Sequence, residues 1–227
     1  MILTNGWNKF WHWNHSASLR ELYAKRCRLE AEEMTCAAQA AELLAPCVEP
    51  GEKLLDAGCG SGYLFHSLAS RKIPVEYWGL DASESLVEIG RSILPDYGLP
   101  IERLLHGRIE DLDAVVDHVV CMNVLSNIDN YHRPLERLLL SARKTLILRE
   151  SVEETANYSY VKDKYLDEGV DLKVHVNTYP QKEFIDFIRS YGFEVESIVD
   201  RRTNGEPEMV IDYPHFWKFF LAVRKSV

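Results

Sequence analysis

The stretch Leu54-Leu55-Asp56-Ala57-Gly58-Cys59-Gly60-Ser61-Gly62-Tyr63 sets three glycines at alternate positions between a short apolar run and a helix-like segment. Glycine tolerates backbone conformations that other residues resist, so such a cluster makes a tight turn and lets a ligand approach the main chain. A strand handing over to a helix through this turn also aims the helix N-terminus, with its unsatisfied N–H groups, at whatever binds there. The geometry suits a nucleotide-like cofactor. The dinucleotide fingerprint needs a third glycine at position 63 for close helix packing, and the chain has Tyr63 there. A phosphate-binding P-loop needs a Lys followed by Ser or Thr to close it, and none follows.

The surrounding pattern alternates strand and helix. Leu54 and Leu55 belong to a first strand, and Tyr63–Ser70 reads as a helix. Val75–Leu80 is a second strand that stops at Asp81, with Ser83 placed to cap a helix through Ile93. Ile101–Leu105 is a weaker strand and Asp117–Cys121 a stronger one; Pro134 then opens a helix with Leu135, Leu138, Leu139 and Ala142 on one face. A fifth strand covers Lys144–Leu148, with Arg149 and Glu150 just past its end. The apolar runs Phe193–Val199 and Phe216–Val223 are separated by a turn-rich stretch without a helix, so they must pair antiparallel. The expected fold class is α/β: a Rossmann-like, doubly wound sheet, mostly parallel, with a C-terminal antiparallel hairpin and an N-terminal helical cap.

Domain boundaries follow. Residues 1–48 form the helical cap or lid, with two helices or one bent helix between Ser18 and Pro46; residues 49–227 form the cofactor-binding domain. The charged, tyrosine-rich 153–178 stretch lacks clear periodicity and is expected to be an insertion covering the sheet.

Asp56-Ala57-Gly58-Cys59-Gly60-Ser61-Gly62, Asp81 after the second strand and the closing hairpin together resemble the class I S-adenosylmethionine-dependent methyltransferases, small-molecule type, over about Glu52–Val223. The resemblance implies an enzyme with S-adenosyl-L-methionine as cofactor. Its site would comprise Asp56, Gly58, Cys59, Gly60 and Gly62 in the loop, Asp81 at the ribose, Ala82 and Ile109 at the adenine, Glu110 or Asp111 at the adenine amine, and Cys121 and Asn123 at and just past the end of the fourth strand. Two positions depart from the family: Arg108 stands where an acid is usual, and Asn127 where a histidine is common.

The segment Phe10-Trp11-His12-Trp13-Asn14-His15-Ser16 packs three aromatics and two histidines together. His12 and His15 could ligate a metal from one helical face, but no neighbouring carboxylate or thiol completes a ligand set, so none is expected. Membrane attachment lacks the basic amphipathic helix it would need. A buried patch or a wall of the substrate pocket remains, the resemblance favouring the wall. Expected substrate contacts are Trp11, Trp13, Asn127 and Arg149, with His15, His12 and His132 as candidate proton acceptors.

A net charge of −9 disfavours nucleic-acid partners, since phosphate binding relies on clustered cations. No apolar run or leader-like N-terminus points to a membrane, and five widely spaced cysteines without a C-x-x-C pair suit reduced thiols, so the cytoplasm is the expected compartment. The expected function is methyl transfer from S-adenosylmethionine to an O or N atom of a small molecule. A cofactor-binding protein without catalysis is the alternative, and a nicotinamide-dependent oxidoreductase a third.

Overall fold

Strands β1 (Lys53–Ala57) and β4 (Val116–Met122) lie side by side and parallel, and the chain winds outward from them in opposite directions. In the computed structural model, which describes residues 16–225, β2 (Glu76–Asp81) and β3 (Leu104–His106) extend the sheet on one side. On the other side come β5 (Ala142–Glu153), β12 (Trp217–Arg224) and β9 (Phe193–Val199), giving the order β3-β2-β1-β4-β5-β12-β9. The first five strands are parallel, whereas β12 runs antiparallel to both β5 and β9.

Helices cover both faces. Helices α1 (Ala17–Cys27), α2 (Thr35–Leu44), α3 (Leu64–Ser70) and α4 (Glu84–Ile93) contribute to one core, and α5 (His132–Ser141) and α6 (Gln181–Ser190) to the other. Alternate residues of each central strand serve opposite cores: Leu55, Val119, Leu146 and Leu148 pack with α5 and α6, whereas Leu54, Val120 and Ile147 pack with α2–α4. Burial on both faces is why these strands read as continuous apolar runs rather than as alternating ones.

Four expectations change in detail. β5 is 12 residues long and contains Arg149 and Glu150, which were expected past its end. It continues because β12 covers one side and the short β8 (Tyr179–Pro180) joins it near Glu153, while both charges find buried partners. The expected third strand begins instead as a 3-10 turn, Ile101–Arg103, after Pro100. Helix α5 starts at His132, two residues before Pro134, because proline is tolerated throughout the first helical turn. The 153–178 stretch and the turn-rich region before β12 each contain a small hairpin: β6 (Tyr160–Lys162) with β7 (Lys173–His175), and β10 (Glu208–Val210) with β11 (Tyr213–His215). Val174, Val176 and Ile211 join the two hairpins in a core of their own.

Candidate active site

Because β1 and β4 feed connections that diverge to opposite sides, their C-terminal ends leave a crevice, the usual ligand position in open α/β sheets. A cavity of about 730 Å³ occupies this place, lined by the loop after β1, the end of β2, the turn after β4, helix α1 and both small hairpins. Such a volume suits a small-molecule ligand.

The glycine loop is built by backbone pairing. The N–H groups of Gly58 and Cys59 both donate to the Leu80 carbonyl, over 2.7 and 3.1 Å. Gly58 and Gly60 have φ of 81° and 57°, which favours glycine at both. Space adds a second reason: a Cβ on Gly58 would meet Val124 Cγ2 at 2.2 Å, and one on Gly60 would meet the Tyr23 ring at 2.5 Å. The loop is thus closely covered by α1 and by the turn after β4. Asp81 fixes its mouth, accepting from Gly60 N at Oδ2 and Ser83 N at Oδ1, both over 2.7 Å. Each carboxylate oxygen keeps a further lone pair, so the group can still accept two hydroxyls. Burial pushes the Asp81 carboxyl up, against the downward pull of the Ser83 and Gly60 N–H groups. Asp56 lies deeper: burial pushes it up to about 7, although the Tyr77 hydroxyl donates to it over 2.7 Å.

Beyond the loop the cavity meets a polar network. Arg149 is held bidentately by Asp200, Nε to Oδ1 at 2.7 Å and Nη2 to Oδ2 at 3.0 Å. Its Nη1 donates to Asn123 Oδ1, and its guanidinium lies 4.5 Å from the Trp217 ring centroid. The Trp217 Nε1–H donates to Glu208 Oε2 over 2.9 Å, and Glu208 Oε1 pairs with Arg202. Asn123 has φ 60°, an uncommon conformation outside glycine that concentrates at functional sites.

The cavity brings together most of the residues singled out from the sequence. Asp56, Gly58, Cys59, Gly60, Asp81, Ala82, Ile109, Glu110, Asn123, Asn127 and Arg149 all line it. Gly62 and Cys121 do not: Gly62 packs against Leu94 and Leu104, and Cys121 is wholly buried. His132 is exposed on the outer surface, with Nδ1 2.9 Å from Asn130 Oδ1, and is not part of the lining. Glu150, next to Arg149 on β5, is fully buried and accepts from the backbone N–H groups of Val124, Leu125 and Ser126, so it shapes the turn that carries Asn123 and Asn127. Trp11, His12, Trp13 and His15 lie outside the described residues. Among the described residues no histidine lines the cavity, and no group of His, Cys, Asp or Glu is arranged to hold a metal.

Sequence reasoning missed Tyr23, Arg26, Asp163, Arg202, Glu208 and Trp217, all of which line the cavity. Tyr23 and Arg26, three apart on α1, and Trp217, within the apolar run of β12, carried a signal; Asp163 and Glu208 lie in or beside hairpins too short for periodicity to find, and Arg202 in the turn after β9. Asp167, in the loop between β6 and β7, ties that loop to α1 by accepting from Ala17 N at 2.5 Å and Ser18 Oγ at 2.9 Å.

Residues 55–146 match a family model described as a methyltransferase domain. Curated relatives include a ubiquinone biosynthesis O-methyltransferase of Azoarcus sp., 33% identical over 87 residues, covering 37% of this chain and 36% of that protein. A demethylmenaquinone methyltransferase of Bacillus cytotoxicus is 33% identical over 95 residues, covering 40% of each. These alignments thus span about two fifths of the length of the relatives. Among solved structures, the magnesium protoporphyrin IX methyltransferase of Synechocystis with bound SAM has a TM-score of 0.61 at 17% identity, covering 94% of both chains. A S-adenosylmethionine-dependent methyltransferase of Clostridium acetobutylicum has a TM-score of 0.64 at 14% identity, covering 92% of this chain and 98% of that one. The architecture is shared across nearly the whole chain, whereas the sequence likeness is concentrated around the loop after β1 and the strands that follow.

Proposed function

We propose that this chain, whose residues 55–146 belong to the methyltransferase-domain family and whose fold is that of the class I enzymes, is an S-adenosylmethionine-dependent methyltransferase acting on an O or N atom of a small molecule. The observation that carries the reading is Asp81. A carboxylate fixed by Gly60 N and Ser83 N stands at the mouth of a glycine loop, at the sheet's crevice, in one cavity with a separate polar wall. That is the layout needed to hold a nucleoside at one end and an acceptor at the other.

The cofactor supplies an electrophilic methyl group on a sulfonium. Asp81 would hold the ribose hydroxyls, Ala82 and Ile109 would flank the adenine, and Glu110, paired with Arg108 over 2.7 Å, would lie at its edge. Arg26 on α1 lines the same space beside Tyr23 and would hold the cofactor's carboxylate, a role that gives the 1–48 segment the function of a cap. Asn123 and Asn127 would face the acceptor, with the Asn127 amide N–H held on the Asn123 carbonyl at 2.7 Å. The protein's contribution is chiefly alignment and exclusion of water, and fixed geometry of this kind can supply about 7–11 kcal/mol of a barrier in favourable cases.

The test is incubation with methyl-tritiated S-adenosylmethionine and a fractionated metabolite pool. Label should move to a small molecule, and Asp81→Ala should abolish both transfer and S-adenosylhomocysteine binding. Tight binding without transfer to any acceptor would leave a cofactor-binding protein, and absence of binding would end the proposal.

A further inference from the structure

Two charged residues of β5 hold the turn after β4. Arg149, buried, is fixed by its two hydrogen bonds to Asp200 and lies over the Trp217 ring. Its remaining nitrogen, Nη1, donates to Asn123 Oδ1, and its backbone carbonyl accepts from Asn123 N over 2.8 Å. Glu150 holds the three N–H groups that follow, those of Val124, Leu125 and Ser126. The Asn123 carbonyl in turn accepts from the Asn127 amide over 2.7 Å.

A guanidinium has only donors, so the Asn123 amide must turn its oxygen towards Arg149 and its NH2 group away from it. The bonds among the described residues thus take up the backbone N–H, the carbonyl and the side-chain oxygen of Asn123, and leave the two side-chain N–H donors for the cavity that this residue lines. Its φ of 60° does not by itself account for an asparagine. Aspartate shares the tolerance for that conformation and would pair with Arg149 more strongly, through a charge-assisted bond. What only the amide adds is the pair of donors. Val210, Ile211 and Trp217 give the same cavity apolar lining, against which such donors can fix the orientation of a ligand.

We propose that Asn123 is a specificity-determining residue whose side-chain NH2, aimed by Arg149, donates to the reacting atom of the acceptor and so selects a hydroxyl over an amine. The proposal rests on the methyltransferase reading above. A neutral amine has one lone pair, and a donor that occupies it blocks the attack it is needed for. A protonated amine meets the NH2 group donor against donor. A hydroxyl oxygen has two lone pairs. One accepts from Asn123, and the other forms the new O–CH3 bond while the C–S bond breaks. The electron pair of that bond stays on sulfur, leaving a neutral thioether, and the hydroxyl proton passes to water. Arg149 acts through Asn123, as a positioning residue.

The isosteric probes 2-naphthol and 2-naphthylamine, both uncharged at neutral pH, differ only in the group that would meet Asn123. The wild-type complex with S-adenosylhomocysteine should bind 2-naphthol roughly 10-fold more tightly, the scale of one hydrogen bond. With methyl-tritiated S-adenosylmethionine, label should pass to the naphthol. Asn123→Asp keeps the backbone conformation and an oxygen for Arg149 but removes the donors. It should therefore keep the melting temperature and the S-adenosylhomocysteine affinity while losing the preference for 2-naphthol, whereas a purely structural Asn123 predicts no loss. Should that variant melt early, Asn123→Gly, which takes the same φ without strain, carries the same comparison. A further readout is the absorbance of 4-nitrophenol in the S-adenosylhomocysteine complex: N–H donors favour the phenolate, and Asn123→Asp should shift the spectrum towards the neutral phenol. Equal wild-type affinity for the two naphthalene probes, binding of neither, or methylation of the amine ahead of the hydroxyl overturns the proposal. So does an unchanged preference in Asn123→Asp. A loss of S-adenosylhomocysteine affinity in that variant as large as the loss for 2-naphthol would place the amide on the cofactor and overturns it as well. Failure of the wild type to bind S-adenosylhomocysteine at all instead removes the methyltransferase reading itself.

Discussion

Arg149 of β5 and Asp200, immediately after β9, form a two-pronged ion pair across the intervening β12, with side chains 4% and 0% exposed. Asp200 Oδ2 also accepts from Thr203 N at 3.0 Å and Thr203 Oγ1 at 3.1 Å, and the pair together holds its carboxyl below the usual range against the opposing effect of burial. Removing one partner leaves a buried, uncompensated charge, which costs about 3–5 kcal/mol. Asp200→Asn should therefore lower the urea midpoint strongly, and the double change Arg149→Met with Asp200→Leu should restore much of it. A wild-type midpoint for Asp200→Asn would show that the pair is not structural.

Gly90 lies inside α4, where alanine would ordinarily gain about 1 kcal/mol over glycine. Here a Cβ would stand 2.4 Å from the Ser61 carbonyl oxygen, a backbone atom of the glycine loop. Gly90→Ala should consequently destabilise, reversing the sign expected from helix propensity, and should weaken S-adenosylhomocysteine binding because the loop must move. Thermal melting with isothermal titration checks both, and a raised melting temperature would refute the contact.

Burial, opposed by the Tyr77 hydrogen bond and reinforced by Asp81, lifts Asp56 from 3.8 to about 7. The folded protein then keeps a proton that the unfolded chain releases, so this group removes stability as pH rises from about 4 to about 7, with its full penalty present above that. Urea unfolding of the apo protein at about pH 5 and about pH 8 should show the wild type losing stability relative to Asp56→Asn as pH rises. A pH-independent difference would place Asp56 near its ordinary value.

Arg26→Ala should weaken S-adenosylhomocysteine binding about 10-fold to 100-fold, the loss expected for a hydrogen bond to a charged group. Binding of 5′-methylthioadenosine, which lacks the amino acid portion, should change little. Equal losses for both ligands would mean that Arg26 acts only by holding α1 against the loop.

Much of the fold was legible because its signals are local. Helices α3, α4 and α6 and strands β1, β2, β4, β9 and β12 carry periodic or continuous apolar patterns, and the loop from Asp56 to Gly62 announces itself through residues that only a tight turn uses. The hairpin-lined part of the cavity was not legible for the opposite reason. Its hairpins have strands of three residues, and the β10–β11 turn places Ile211 and Asp212 at φ 48° and 67° without the Asn-Gly signature of such turns. Packing on Val174 and Val176 holds Ile211 where its own preference would not.

The sequence by itself determined a doubly wound sheet with a glycine loop and an acid after the second strand, because backbone conformation and strand burial act over a few neighbouring residues. Only the tertiary structure decided what surrounds that loop. It set Tyr23 over Gly60, matched Arg149 with a carboxylate 51 positions away, buried Glu150 beneath a turn, and brought Asp163 and Trp217 into one cavity. Charge partners and cavity walls depend on which distant segments meet, and that is settled by packing of the whole chain rather than by any local preference.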